Sequence, residues 1–272
     1  MAINVNEVYQ TVLLILNKEQ RGYITPYEFN QIAAQAQQEI FEGYFDDLNQ
    51  QLRLPGHEDE YADRVEHIEE SISLLRTYSS VSYRDVDENG NPIDNPFFYL
   101  PENVHRMGTL MYKDEQEIQR TNRGEYLRLN MSKLTRPTTN YPLFTQEENV
   151  TVQNITGVPP ATTITTLCKD CIKVYVYPSS VVKDVSLSYV RKPNKPIWAY
   201  TVGVGGAYIY SELGTGAGVN PSTGSVNFEI DDTDKPELIL RILAYAGVVI
   251  RDPQVVQAAA QQVQATEVNQ KS

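Results

Sequence analysis

The stretch "TTITTLCKDCIKVYVYP", residues 162–178, decides how the middle of the chain is interpreted. Threonine dominates its first part, and valine alternates with tyrosine in its second part. Such β-branched and aromatic side chains are typical of strands, because they pack well on a pleated, half-buried surface. The stretch therefore predicts two strands, Thr162–Leu167 and Ile172–Tyr177, with C-K-D-C between them.

The same texture begins after Tyr83 and continues to Ile230, with short β-type runs separated by proline, glycine and asparagine. The other predicted strands are Met107–Tyr112, Tyr126–Asn130, Val150–Ile155, Val185–Val190, Ala207–Tyr210 and Ser225–Ile230. A glycine-rich stretch, residues 203–224, predicts a hairpin with long, mobile ends.

Both ends of the chain have helical periodicity instead. One helix follows Asn4 or Asn6 through "NEVYQTVLLIL", and a second over residues 26–50 would be about 37 Å long. A third follows "LPGHEDEY" and has a coiled-coil-like spacing of apolar residues, which are Tyr61, Val65, Ile68, Ile72 and Leu75. A fourth begins after Asp234 with "KPELILRILAYAGVVI", and an alanine- and glutamine-rich segment restarts after Pro253.

These patterns predict an α+β protein, in which a helical bundle of N-terminal and C-terminal helices carries an inserted antiparallel β-rich domain. The predicted domains are a helical part over residues 1–82, a β-rich domain over 83–233, and a second helical part with a tail over 234–272. No internal repeat of fixed period is present.

The composition restricts the classes of function. A formal charge of -12 and a pI near 4.8 argue against an extensive nucleic-acid-binding surface, because phosphate binding needs clustered lysine and arginine. The longest apolar run, "TVLLIL", is too short to span a bilayer, and residues 1–20 lack the features of an export signal. The expectation is a soluble chain that is not exported.

The stretch "NKEQRGYITPYEF", residues 17–29, shares Gly22 and Glu28 with a calcium-binding loop. However, Arg21 stands where an oxygen ligand belongs, and its charge would repel the ion. Thr25, Pro26 and Glu28 instead make T-P-Y-E, a capping box with proline at the first helical position. This stretch therefore predicts the start of a helix rather than a metal site.

The stretch "DVDENGNPIDNP", residues 85–96, opens like a calcium loop but has Pro96 at its twelfth position. Asn-Gly before Asn-Pro predicts a turn, and a weak surface calcium site is the minor alternative. Cys168 and Cys171 have no second cysteine pair for zinc, so they are interpreted as turn or strand-edge residues. Three histidines lack ligand spacing, namely His57, His67 and His105.

Motifs of known enzyme chemistry are missing from the sequence. The glycines of residues 203–218 lack a G-K-[ST] ending, and no G-x-S-x-G, H-E-x-x-H or kinase-type set is present. The prediction is a protein that is not an enzyme, with no catalytic residue, no cofactor and no metal site.

Several phrases of the sequence resemble structural proteins of tailed phages, especially crAss-like and other short-tailed phages. They are the opening "NKEQRGYITPYEFNQIAAQAQQEIFEGYFDDLNQ", the strand-like "FFYLPENVHRMGTLMY", "EYLRLNMSKLTRPTTNYPLF", "IKVYVYPSSV" and "LSYVRKPNKPIWAY", and the closing "FEIDDTDKPELILRILAYAGVVIRDPQVVQAAAQQVQ". The similarity is spread over most of the chain and contains no single diagnostic motif. The glycine-rich residues 203–224 depart from the compact pattern of these proteins.

The resemblance implies a head-to-tail connector or tail adaptor that forms a ring, commonly of twelve copies, around the channel through which DNA leaves the capsid. Its implied partners are other copies of itself, the portal, neighbouring tail ring proteins and passing genome DNA bound without sequence specificity. No membrane is implied. The implied location is the portal vertex and tail of the virion, after assembly in the host cytoplasm.

Tyrosine is abundant, with 18 residues, and such amphipathic side chains recur at protein interfaces. The predicted contacts with ring neighbours or partners are Tyr44, Phe45, Tyr61, Tyr78, Val255 and Val256. The segment after Pro253 either orders on docking to the next ring or is a frayed terminus.

A binding module is the second hypothesis from the sequence. In this alternative the β domain recognises a carbohydrate or a host surface through residues 203–224 and Trp198. An enzyme without a recognisable motif is the third hypothesis.

Overall fold

The computed structural model describes residues 3–18, 23–51, 59–88, 90–156, 163–213 and 224–250, with single positions at 221, 257, 261, 262 and 264. The chain divides into two compact units. The first unit comprises Met1–Leu75 with Pro193–Ser272, and the second comprises Arg76–Lys192.

The described residues form five α-helices and ten strands. The helices are α1 (Val5–Lys18), α2 (Pro26–Gln51), α3 (Asp59–Ser73), α4 (Arg123–Met131) and α5 (Lys235–Ile250). The strands are β1 (Arg76–Ser80), β2 (Ser82–Val86), β3 (Pro92–Tyr99), β4 (Val104–Tyr112), β5 (Gln116–Arg120), β6 (Leu143–Thr156), β7 (Thr163–Tyr177), β8 (Val185–Arg191), β9 (Tyr200–Val202) and β10 (Tyr208–Tyr210).

The first unit is built around the apolar faces of α1, α2 and α5, which recur every three or four residues as the sequence predicts. These faces bury residues such as Val12, Phe29 and Ile242 in one core. Residues from outside the helices, Trp198 and Phe228 among them, complete this core, so chain segments after the eight-stranded sheet return to the helices.

The start of α2 has the predicted capping box. The Thr25 backbone N–H donates to a Glu28 carboxylate oxygen at 2.9 Å, and the Thr25 hydroxyl donates to the same oxygen at 2.7 Å. The Glu28 N–H donates in turn to the Thr25 hydroxyl oxygen at 3.3 Å. These bonds hold the pKa of Glu28 below its ordinary value. The helix-start interpretation is therefore confirmed.

The second unit is a mixed sheet of eight strands in the order β1-β8-β4-β5-β6-β7-β3-β2, and it is curled into a half-barrel. Most neighbouring strands are antiparallel, and β6 with β7 is the longest pair. The inner side buries Phe98, Leu110, Val174 and Leu187 in a second core.

One pair of neighbouring strands, β5 and β6, is parallel, with Gln119 opposite Leu143 and Arg120 opposite Phe144. Parallel neighbours cannot be joined by a tight turn, because the chain must return to the same end of the sheet before the second strand begins. The connection between β5 and β6 therefore contains α4 and the turns that follow it.

The prediction of a helical bundle with an inserted antiparallel β-rich domain is wrong. The protein is mostly the large curled mixed sheet, accompanied by five helices in the described residues. Helical periodicity identified α1, α2, α3 and α5. It carries no information on which strands pair, so it could not predict that eight strands form a single sheet. Several strands, including β1 (RTYSS) and β5 (QEIQR), are polar and short, so hydrophobic runs did not reveal them.

Three local predictions have distinct outcomes. The strand expected at Tyr126–Asn130 is wrong, because these residues belong to α4. The turn expected near Asn91 is confirmed, since the Asp87 and Asn91 backbones are hydrogen-bonded at 2.7 Å between β2 and β3. The division into two strands, Thr162–Leu167 and Ile172–Tyr177, is wrong, because one strand, β7, covers both and contains the disulfide-linked Cys168 and Cys171 at a shift in its register with β6.

Candidate functional site: a tyrosine-lined cleft and two exposed projections

A cleft of about 400 Å³ lies in the second unit, between α4 and the strands β3, β6 and β7. Its walls include the stacked rings of Tyr126 and Tyr177, whose centroids are 3.8 Å apart with an interplanar angle of 17°. The Tyr83 ring packs on Phe98 at 4.9 Å between centroids. The cleft therefore presents flat aromatic surfaces, which can stack on the apolar face of a ligand.

Charged and amide side chains surround these rings. Arg123 of α4 forms an ion pair with Glu147 of β6 at 3.1 Å, and Asp94 and Asn95 of β3 also line the cleft. Burial raises the pKa of Tyr126, with the nearby Tyr177 as a second cause, so its hydroxyl stays protonated at neutral pH. This arrangement can stack and hydrogen-bond a ligand.

The connection between β5 and β6 forms the first exposed projection, named here the basic projection, residues 123–141. Its exposed apolar side chains are Leu127 (55%), Met131 (87%), Leu134 (97%) and Tyr141 (79%). Helix α4 itself has no buried residue. Apolar groups that are fully hydrated in the single chain favour association with a partner, because burial removes their surface from water.

The second exposed projection is the tyrosine ribbon, residues 200–213, in which β9 and β10 pair antiparallel. Its turn uses Gly205 and Gly206 at φ values of 83° and 82°, a region that glycine adopts without strain. Val204 at the tip is fully exposed, and Val202, Ile209 and Leu213 are also exposed. The sequence predicted a hairpin over residues 203–224; the structure has one over residues 200–210, and residues 214–220, 222 and 223 lie outside the described part of the chain.

The base of the tyrosine ribbon is anchored in the first core through Trp198. The Trp198 ring lies 6.0 Å from that of Tyr200 and 5.8 Å from that of Tyr210. Its indole N–H donates to the Asn6 side-chain oxygen at 3.0 Å, and its backbone N–H donates to the Asn30 side-chain oxygen at 2.8 Å. With only 4% of its surface exposed, Trp198 is part of the core and cannot be a contact residue for a ligand.

The predicted interface residues lie in different environments. Phe45 is buried and packs edge-on against Phe41, while the Tyr44 hydroxyl donates to the Asp234 carboxylate. Burial raises the pKa of Tyr44, and the neighbouring Asp234 charge raises it further. Both side chains therefore pack within the single chain.

The remaining predicted interface residues are not brought together with Tyr44 and Phe45. Tyr78 is exposed on the edge strand β1, and its hydroxyl donates to the Asp114 carboxylate. Tyr61 belongs to α3, but its side chain lies outside the described residues, as do Val255 and Val256 entirely. Whether any of these residues contacts a partner stays a prediction.

The sequence interpretation missed the basic projection. A signal was present, because Leu127, Met131 and Leu134 recur at helical spacing within a segment rich in basic residues. The sequence interpretation assigned residues 126–130 to a strand, in which successive side chains point to opposite faces of the sheet. It therefore did not group these apolar side chains on one surface.

The described residues contain neither a candidate metal site nor a membrane-spanning helix. No group of three or more His, Cys, Asp or Glu side chains in that part of the chain is placed to hold a metal ion. None of the described helices combines the length and apolar character needed to cross a membrane.

No family model matches the chain, and no curated protein matches its sequence. Its function therefore has to be inferred from its surfaces.

Proposed function

We propose that this protein is a structural virion protein that forms a ring at the head-to-tail junction of a tailed phage. In this proposal the ring joins the portal to the tail, surrounds the channel for DNA ejection and has no catalytic role. The resemblance of its sequence to phage connector proteins supplies the context. One structural observation carries the proposal: each of the two compact units has a projection with exposed apolar side chains.

A closed ring of identical copies needs two different surfaces on each copy, one for each neighbour. The basic projection and the tyrosine ribbon are both exposed and available for contact with other proteins, and they differ in charge and in architecture. Each exposes apolar side chains whose burial against a neighbour would stabilise the assembly. The chain has a net charge of -12. The same acidic charge suits a channel for DNA, because it limits contacts with phosphates.

The proposal is tested by measuring the mass of the purified protein over a range of concentrations, alone and with its portal protein. We expect a large assembly of defined copy number, commonly twelve, that appears as a ring in electron micrographs. Analysis of purified particles should place the same ring at the portal vertex. A chain that stays monomeric with the portal present, and that is absent from particles, would refute the proposal.

A carbohydrate-binding module is the second candidate function, and the tyrosine-lined cleft is the observation that favours it. Aromatic faces with nearby carboxylate, amide and guanidinium groups are suited to a sugar ring, which has an apolar face and hydroxyl edges. The sequence hypothesis placed the sugar contact at Trp198, but this residue is buried. In this candidate function the side chains of the cleft make the contact instead.

A glycan array distinguishes the second candidate from the first. Carbohydrate recognition predicts a signal that Tyr126→Ala abolishes and that Tyr27→Ala, at an exposed tyrosine of α2, leaves unchanged. A wild-type protein that binds no glycan on the array would eliminate this candidate and leave the ring proposal untouched.

A further inference from the structure

We propose that the basic projection docks on α3 of a second copy of this chain. The inference rests on the proposed ring and names one pair of surfaces through which neighbouring copies would meet. Its basis is a match in charge and in exposed apolar side chains between these two regions.

The basic projection has a charge opposite to that of the chain as a whole. Residues 123–141 contain four basic side chains and one acidic side chain, a net charge of +3. Since the whole chain has a formal charge of -12, the rest of the chain carries -15. The basic residues are Arg123, Arg128, Lys133 and Arg136. A positive segment on such an acidic protein favours contact with an acidic surface.

Two of these charges are available for a partner. Arg123 is engaged by Glu147 at the base of the projection, whereas Arg128 and Lys133 are exposed and have no ion-pair partner among the described residues. Arg128 lies three residues before the exposed Met131, and Lys133 directly precedes the exposed Leu134. Apolar contact and charge can therefore act at the same place, as they do in specific interfaces.

The projection holds its shape without a core of its own. The Thr135 hydroxyl donates to the Leu129 carbonyl at 2.9 Å, and the Arg136 N–H donates to the Ser132 carbonyl at 3.0 Å. These bonds close the chain behind α4. Because the segment is already ordered, docking costs less conformational entropy than ordering a free loop would.

The acidic helix α3 offers a complementary surface. It contains six acidic residues and one arginine, a net charge of -5 over Asp59–Ser73. Glu66, Glu69 and Glu70 are exposed, and within the described ranges they form no ion pair. Leu74, directly after the helix, is 49% exposed and supplies an apolar contact beside the acids.

These two regions belong to different units of the chain, which suits a contact between copies. When the projection of one copy docks on α3 of the next, the first copy keeps a free α3 and the second copy keeps a free projection. Repetition of such a contact generates a ring if the rotation closes. Leu134 of the projection is exposed and is therefore available for such a contact.

Charge reversal tests this contact from both sides. Arg128→Glu with Lys133→Glu should raise the concentration for half-maximal assembly by about tenfold or more, and so should Glu66→Lys with Glu69→Lys. Mixing the two reversed proteins should restore assembly, because each then offers the other a complementary pair of surfaces. Lys169→Glu with Lys183→Glu is the matched control for the projection reversal, since it makes the same change in net charge at exposed positions of the second unit.

Five outcomes are distinguished. Loss on each side with recovery on mixing supports the contact. Wild-type assembly that the projection reversal weakens no more than the control does overturns the contact but leaves the proposed ring intact. Loss without recovery on mixing assigns the projection to a different protein, and loss of DNA binding with unchanged assembly assigns it to nucleic acid. A wild-type chain that never assembles and is absent from particles refutes the ring and the contact together.

Discussion

The tyrosine ribbon and the basic projection both expose apolar side chains, but they are supported in opposite ways. The ribbon has a nearly neutral sequence and its rings lean on Trp198, which is hydrogen-bonded inside the first core. The projection is basic, has no buried residue in α4, and is held by its own hydrogen bonds and by one stacked tyrosine at its base. Exposure alone therefore does not define an interface; charge and anchoring determine which partner each projection can accept.

The largest expected effect breaks the anchor of the ribbon. Trp198→Ala removes a buried indole and leaves the Asn6 amide without its donor, so it should lower the free energy of unfolding by about 3–5 kcal/mol. Urea unfolding followed by far-ultraviolet circular dichroism measures this loss without relying on the single tryptophan. Tyr27→Ala is the exposed control. A loss under about 1 kcal/mol would mean that the ribbon is as weakly anchored as the projection.

A smaller effect is expected at the base of the projection. Tyr126→Ala removes the ring stacked on Tyr177 and should cost about 1–2 kcal/mol, with faster hydrogen exchange in α4. Tyr141→Ala, at an exposed tyrosine of the same projection, should change stability by no more than about 0.5 kcal/mol. Equal losses in the two variants would show that Tyr126 does not hold α4 on the sheet.

The capping box should make the unit that carries the ribbon sensitive to acid. Thr25→Ala should cost about 1 kcal/mol at neutral pH. Because the folded state lowers the pKa of Glu28, its contribution is present above the ordinary glutamate value of about 4.3 and is lost as the pH falls further. Glu28→Gln should therefore reduce stability at pH 7 and weaken its decline in acid. An unchanged acid profile in Glu28→Gln would contradict this assignment.

The smallest effects on stability are expected at the tips of the two projections. Leu134→Ser and Val204→Ser change side chains that are almost fully exposed, so each should alter the free energy of unfolding by less than about 0.5 kcal/mol. Both should nevertheless weaken assembly. Raising the salt concentration should weaken the contact of the basic projection more than that of the ribbon, because screening acts on charges. In each tip variant, assembly depends mainly on the contact of the other projection. If salt weakens assembly equally in the two variants, the two contacts do not differ in their electrostatic contribution.

The elements that could be predicted from the sequence are those specified by residues close together along the chain. The apolar periodicity of α1, α2 and α5 and the capping letters at Thr25 and Glu28 need only near neighbours along the chain, and the structure has them as expected. The alternation in Ile172–Tyr177 likewise identified the second part of β7, although the sequence divided that single strand in two. Such signals come from burial of one face, which repeats with the period of the element.

The arrangement of the sheet could not be predicted from the same signals. Pairing of β5 with β6 joins positions that are separated by the whole projection, and no local pattern encodes a parallel neighbour. The polar edge strand β1 lacks an apolar alternation because most of its side chains are exposed or half-buried. For the candidate site, sequence could indicate tyrosine-rich surfaces but not that Tyr126 and Tyr177 would stack beside α4.

The parallel pair also limits how this protein can change over evolutionary time. A hairpin loop can shrink to two residues, but a crossover between parallel neighbours needs about a dozen or more residues. Lineages can therefore rewrite residues 123–141 to suit a new neighbour, yet they cannot delete the segment without rebuilding the sheet. Chimeras that exchange this crossover between related chains should fold, whereas a direct joint from Thr121 to Pro142 should not.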